Sequence, residues 1–284
     1  MIARFARIYP LHFLTFFVSI PLVIYGIKDF SLLLIFKSIT NLTLTQSFVP
    51  LKSIYFSFNA PSWSISNEMF FYILFPFILT FVGFFRKKWF LLLLVFASIP
   101  LLSIIISNDF HHRLFYINPV FRIVDFVIGI SLYNLYRLIK NMNLNFNYNY
   151  IEISSVILFS VFFFFHSDFP KVSRYSFFYW IPMSYIILVF SFQKGIISKF
   201  LSQKWLIYLG EISFGFYMFH QLVIRYFLPL NNRYLGIENE IHQSLMIFIL
   251  SLLISHYSFK YFENPINSYL KNKLHRKNYT QHRL

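Results

Sequence analysis

Apolar residues run along this chain in long blocks with few charges between them. A window of about 20 residues, the length needed to cross the bilayer's hydrocarbon core, predicts eight spans. They lie near 8 to 27, 64 to 85, 89 to 107, 119 to 138, 151 to 166, 176 to 193, 208 to 229 and 242 to 262. The stretch Phe30 to Ser57 breaks the pattern: Leu32 to Phe36 is apolar but short, and Thr40 to Ser47 is polar. It predicts a surface or re-entrant segment rather than a ninth span. No Pro/Gly/Ser-rich linker, internal repeat or soluble domain interrupts the series, and the Asn/Tyr-rich tract Asn141 to Tyr150 reads as a short loop. Asn264-Pro265 stops the last helix, because proline disfavours helical geometry in the residue before it. The expected fold is all-α, a polytopic transmembrane helix bundle over residues 1–265, followed by a basic cytoplasmic tail over 266–284.

Composition supports the same class. The chain is 57% hydrophobic and 23% aromatic, with a mean hydropathy of +0.60, and only 12% of it is charged. A soluble domain carries about 25% charged residues. The net charge of +15 raises the question of nucleic acid, but the basic residues are spread between apolar spans rather than gathered on one face, which argues against it. They follow membrane topology instead: with the N-terminus in the cytoplasm, sixteen of the 25 Lys and Arg fall in inner loops and seven in outer ones, with Arg122 and Arg225 inside spans. Both termini are therefore expected on the cytoplasmic side, with the tail drawn to anionic headgroups. The absence of cysteine excludes disulfides and thiolate chemistry.

Few polar side chains stand where chemistry needs them. Glu68 closes the run Ala-Pro-Ser-Trp-Ser-Ile-Ser-Asn-Glu (60 to 68) at the mouth of the second span. A carboxylate costs roughly 2.5 to 3.5 kcal/mol at a helix centre, and one kept in a span usually faces a polar cavity or a partner charge. Arg4 and Arg7, three residues apart, are placed to grip phosphate together; their ordinary explanation is a positive-inside anchor. Arg122 and Asp125 have the spacing of a helical ion pair, structural or functional. His220 offers the side chain whose charge changes nearest neutral pH, although a buried histidine is more often a structural hydrogen-bond partner. His111-His112 with Asp109, and His166 with Asp168, read as solvated loops, and no metal site is expected. Nor is there a glycine-rich phosphate loop or a nucleophile elbow in a chain with seven glycines.

Several of these segments, in order, resemble the membrane-bound acyltransferase-3 family. Arg4-x-x-Arg7-Ile-x-Pro10 is similar to the motif that family uses for its acyl-coenzyme A donor. Trp63-Ser-Ile-Ser-Asn-Glu68, Arg122-Ile-Val-Asp125-Phe-x-x-Gly129 and Leu209-Gly-Glu-Ile-Ser-x-x-x-Tyr217-x-x-His220 match further family patterns, and Glu263-Asn-Pro265-Ile resembles its closing motif, read here as a helix stop. The resemblance implies an O-acetyltransferase of the bacterial inner membrane. Acetyl-coenzyme A or another acyl-coenzyme A would be the donor, at Arg4 and Arg7. The acceptor would be a cell-surface polysaccharide or lipid-linked glycan, with Glu68, Arg122, Asp125 and His220 at the acceptor or transfer site. In the expected topology Glu68 and Arg122 both lie toward the outer leaflet and share one pocket. Family members are expected to have about ten spans, with a catalytic histidine on the first. His12 follows the arginine pair and His220 belongs to another motif, so no residue here takes that role, and the expectation is an N-terminally truncated chain. A flippase for lipid-linked glycans and a non-catalytic membrane remnant stand beside this reading.

Overall fold

The computed structural model describes residues 2–25, 31–85, 89–142, 144–270 and 273. Lys28, the basic cluster at 86–88 and, in the expected tail, residues 271–272 and 274–284 lie outside the described residues. Among the described residues there is no β-strand. The longer helices are α1 (Ile2–Ile24), α2 (Leu32–Leu42), α3 (Ser62–Phe85), α4 (Trp89–Ile105), α5 (Pro119–Asn141), α6 (Tyr148–Phe164), α7 (Trp180–Phe190), α8 (Ile196–Leu201), α9 (Lys204–Leu230) and α10 (Glu240–Ser258). Each of the eight expected spans overlaps one of them, though the sixth is shorter than expected. By length and apolarity alone, the runs Arg4–Ile24, Pro119–Asn141 and Glu240–Leu270 can cross a membrane. The helices α3 and α9 are 24 and 27 residues long; α3 carries Glu68, and α9 carries Lys204, Glu211 and Arg225.

Local sequence sets the helix starts. Asn118 caps α5 by accepting from the Val120 amide at 2.9 Å, with Pro119 in the first turn where its missing N–H costs nothing. Asn239 caps α10 in the same way, accepting from Ile241 and His242. Pro10, Pro21, Pro76, Pro100 and Pro229 all lie inside helices. Membrane helices tolerate this because neighbouring groups satisfy the freed carbonyls.

The chain forms two compact units: Met1–Tyr72 with Tyr208–Leu284, and Ile73–Ile207. In the first, α1 packs its buried Ile8 and Leu11 against Leu44, Ile65 of α3 and Met218, Phe219 and Leu222 of α9. The segment expected at the surface or re-entrant holds only a short helix, and the polar stretch after it is buried. At about 1.5 Å per residue, the 11 residues of α2 cover about 16 Å, half the hydrocarbon core. Beyond it Asn41, Gln46, Ser47 and Asn59 are all buried. Their polar groups turn inward because each finds a partner there. Asn41 donates its amide to Ser57 Oγ at 2.7 Å and to the Lys37 carbonyl at 3.1 Å, and accepts from Ser62 Oγ at 3.3 Å.

In the second unit α7 packs on α5 and α6. Ile99, Phe115 and Val124 form a core with Tyr175 and Trp180 at its edge. The expected sixth span is shortened to a 3₁₀ turn at Phe177–Tyr179 and the 11 residues of α7, because Gln193, at φ 54°, turns the chain into Gly195. There Glu152 of α6, fully buried, holds the start of α8. Its carboxylate accepts from the amides of Gly195 and Ile197 at 2.9 Å and of Ser198 at 3.0 Å, and from the Ser198 hydroxyl. A Cβ on residue 195 would stand 2.2 Å from that carboxylate, which is why glycine occupies the position.

Two stability changes follow. Gly195→Ala must displace a buried carboxylate from its four donors and should lower unfolding free energy in detergent by about 3 kcal/mol, at the upper end of overpacking costs. Asn41→Ala removes the amide shared by α2, the 57–62 turn and α3 and should cost about 2 kcal/mol. Thermal or denaturant unfolding of the purified variants measures both, and values within 0.5 kcal/mol of the parent (about the spread of neutral substitutions) would contradict them.

Candidate functional site

The charged and polar groups of the first unit occupy three levels along α1. At its first turns Arg4 and Arg7 are both exposed. The Arg4 guanidinium lies over the Tyr72 ring, 5.7 Å from its centroid, and the Tyr72 hydroxyl donates to Glu68 one turn back on α3. The charges of both arginines reach Tyr72, and that of Arg7 also reaches Glu263. Glu263 is buried, accepts from Ser258 Oγ at 3.1 Å, and sits so close to α9 that a Cβ on Gly215 would stand 3.0 Å from its Oε1. Glu68 was expected with Arg122 at the outer face; its neighbours here are those of the N-terminal arginines. It lies six residues into α3, about 9 Å from the helix start, and Tyr72 ties it to the level of Arg4. Glu263, read from sequence only as part of a helix stop, belongs to the same cluster.

The middle level is a buried polar lane. His12 Nε2 lies 2.9 Å from the Asn41 carbonyl, an oxygen that can only accept, so Nε2 carries the proton and Nδ1 a lone pair in the neutral ring. Gln46 donates to the Ser62 carbonyl at 3.0 Å; Ser66 pairs with Ser47 at 2.6 Å and bonds the Leu44 carbonyl at 2.6 Å. Ser62 and Ser66, from the Trp63-to-Glu68 segment and its edge, thus anchor α3 to the polar stretch after α2. His12 Nδ1, Gln46 Oε1 and Asn59 Oδ1 are buried acceptors with no hydrogen-bond partner among the described residues. The signal for this lane was the cluster of Asn, Gln, Ser and Thr in an otherwise apolar stretch.

The third level is a cavity of about 730 Å³ lined by Leu22 and Val23 near the end of α1, with Lys37, Trp63, His220 and Arg225 among its walls. Arg4 and Leu22 are 18 residues apart on α1, so the arginine pair and the cavity are separated by about 27 Å along the helix. The Nδ1 of His220 lies 2.6 Å from the Tyr217 carbonyl and must donate to it, which leaves Nε2 with its lone pair. Tyr217 also bonds Ser64 at 2.9 Å and the Pro61 carbonyl at 3.1 Å, and Asn59 donates to the Met218 carbonyl at 2.9 Å. Two segments more than 150 residues apart in sequence, 59–68 and 209–220, are in this way joined around one cavity. Ser57, bonded to Asn41, lines it too, so the lane and the cavity share a wall.

In the second unit the expected ion pair is present: Arg122 Nε lies 3.0 Å from Asp125 Oδ2. Arg122 also donates to the Tyr175 carbonyl, and Trp180 Nε1 donates to Asp125 Oδ1 at 2.6 Å. These groups wall a cavity of about 480 Å³ that includes Arg174, Tyr179 and Ile187. The pair neutralises itself and fixes two aromatic residues, which is the behaviour of a structural brace. Glu68 lines neither this cavity nor that of the first unit. His111, expected in a solvated loop, is instead buried at the end of a short helix, Asn108–His111, where Nε2 donates to the Ile106 carbonyl at 2.8 Å.

Acyltransferase MdmB from Streptomyces mycarofaciens is 27% identical over 244 residues, which cover 78% of this chain and 60% of that protein. The chain therefore spans about 60% of the length of the curated relative it matches. No solved structure matches. The acyltransferase domain family, Acyl_transf_3, matches residues 1–258, from the arginine pair through α10. Matched over residues 1–258, the chain belongs to the acyltransferase-3 family of membrane-embedded acyltransferases.

Proposed function

We propose that this protein transfers an acyl group, acetyl in the simplest case, from acyl-coenzyme A to a hydroxyl of a cell-surface polysaccharide or its lipid-linked precursor. The observation that carries the reading is the division of α1 in the first unit. Paired guanidiniums stand at one end, an imidazole-bearing cavity at the other, and a polar lane runs between them. A flippase has no use for such a separation of phosphate-gripping and base functions, and the family match favours transfer.

Two exposed guanidiniums one turn apart suit the phosphates of coenzyme A, since each offers planar, bidentate donors. Glu68, through Tyr72, and Glu263, in the field of Arg7, act as positioning residues for that pair. The unsatisfied acceptors of His12, Gln46 and Asn59 are of the kind that the amide N–H groups of a pantetheine arm can satisfy, which draws the thioester toward the cavity. There His220 Nε2, from a different motif than the first-span histidine expected of the family, takes the proton of the acceptor hydroxyl as its oxygen attacks the thioester carbonyl carbon. The C–S bond breaks, the imidazolium returns the proton to the departing thiolate, and the products are an ester and free coenzyme A. Arg122 and Asp125 keep the second cavity in shape. The excess of Lys and Arg in alternate loops supports a plasma-membrane enzyme with cytoplasmic termini; on that reading the donor binds from inside and the acceptor cavity opens outside.

Ester formation from labelled acyl-coenzyme A in membranes containing the protein checks this. His220→Ala should lower kcat at least about 100-fold, the lower end of general-base contributions. Replacing Arg4 and Arg7 together by Ala should raise KM for the donor about tenfold or more with a smaller effect on kcat. Unchanged rates in both variants, or donor-independent glycan transport, would overturn the reading.

A further inference from the structure

The cavity at the far end of α1 differs from the other charged sites in one respect. Arg122 has Asp125 beside it, Arg4 lies over the Tyr72 ring whose hydroxyl donates to Glu68, and the charge of Arg7 reaches Glu263. Lys37 and Arg225 both line the cavity, and among the described residues neither has a carboxylate partner and no acidic residue lines its wall. One Nη of Arg225 is committed to the Phe58 carbonyl at 2.8 Å, which aims the guanidinium but leaves other donors of the fork. Lys37 is held one turn from Asn41, whose amide grips the Lys37 carbonyl. Cations near apolar spans are costly, and those retained usually compensate another charge.

We infer that the acceptor carries an oxyanion, held between Lys37 and Arg225, so that the cavity takes an acidic or phosphorylated sugar rather than a neutral one. Trp63 supplies an aromatic wall for the ring, and the volume of about 730 Å³ lies within the usual range for small-ligand sites. His220 on the same wall then meets a hydroxyl of a sugar already anchored by its charge. This deepens the acyltransferase reading, because it takes the cavity as the acceptor site.

Binding without turnover separates the two. Tryptophan fluorescence of the purified protein in neutral detergent is titrated with glucuronate, glucose 1-phosphate and glucose, at low and high salt. The charged sugars should bind at least about tenfold more tightly than glucose, with the advantage shrinking as salt rises. The stronger of the two charged probes tells carboxylate from phosphate. Lys37→Gln should remove about tenfold of that advantage and Lys37→Arg restore most of it, with Arg225→Gln as a second variant. Equal binding of glucose, or no effect of Lys37→Gln, would overturn the inference while leaving acyl transfer to a neutral sugar standing. Charge-dependent sugar binding without any ester formation would uphold the anionic site and sink the transfer reading instead. Displacement of glucuronate by short-chain phosphatidylglycerol or by coenzyme A at equal concentration would make the cavity a headgroup or donor site and overturn the inference.

Discussion

A single buried residue, Asn41, ties four segments of the first unit to one another. Asn41 accepts from Ser62 of α3, donates to Ser57 and to the Lys37 carbonyl of α2, and offers its own carbonyl to His12 of α1. In a bilayer there is no water to satisfy a stray N–H or C=O, and apolar contact between helices gains nothing over contact with lipid. Shape is therefore set by such internal hydrogen bonds and by close packing. The lane built around Asn41 lets polar groups exist at the depth of His12 and leaves acceptors there with no hydrogen-bond partner among the described residues.

Charge is placed along α1 with the same economy. The arginine end holds both cations and carboxylates, with Glu68 and Glu263 near Arg4 and Arg7. The cavity end holds Lys37 and Arg225 without an acid among the described residues. A helix of 23 residues reaches from one to the other, about the thickness of the hydrocarbon core. The first unit is thereby suited to bind anions at two separate levels, with an imidazole at the second.

Much of this was legible in the chain. Long apolar runs located the helices, since little besides a membrane span needs some 20 apolar residues in a row, and the i, i+3 spacing of Arg122 and Asp125 announced their ion pair. The fold of residues 31–61 was not legible, because its short helix and turns owe their form to tertiary bonds from Asn41, Gln46 and Asn59 rather than to any periodicity. The neighbours of Glu68 were not legible: a carboxylate in a span signals a partner without naming it, and here Tyr72 lies beside it, with Arg4 over the Tyr72 ring. Glu263 was hidden by the proline two residues on, which explains a helix end well enough that its burial drew no attention. His220 stood out by motif, whereas its tautomer and its cavity required the Tyr217 carbonyl and the walls from α1, α2 and α3.

The central claim is that donor phosphates and reacting thioester occupy opposite levels of one unit, and photo-crosslinking tests it most directly. Acyl-coenzyme A bearing a diazirine on the adenine, and a second analogue bearing it on the acyl chain, are irradiated with the membrane-embedded protein and the labelled peptides read by mass spectrometry. The account predicts that the adenine probe labels the first turns of α1 and the Glu68–Tyr72 turn, and that the acyl probe labels the segments around Trp63 and His220. Labelling of one common segment by both probes, or labelling confined to residues 73–207, would contradict it.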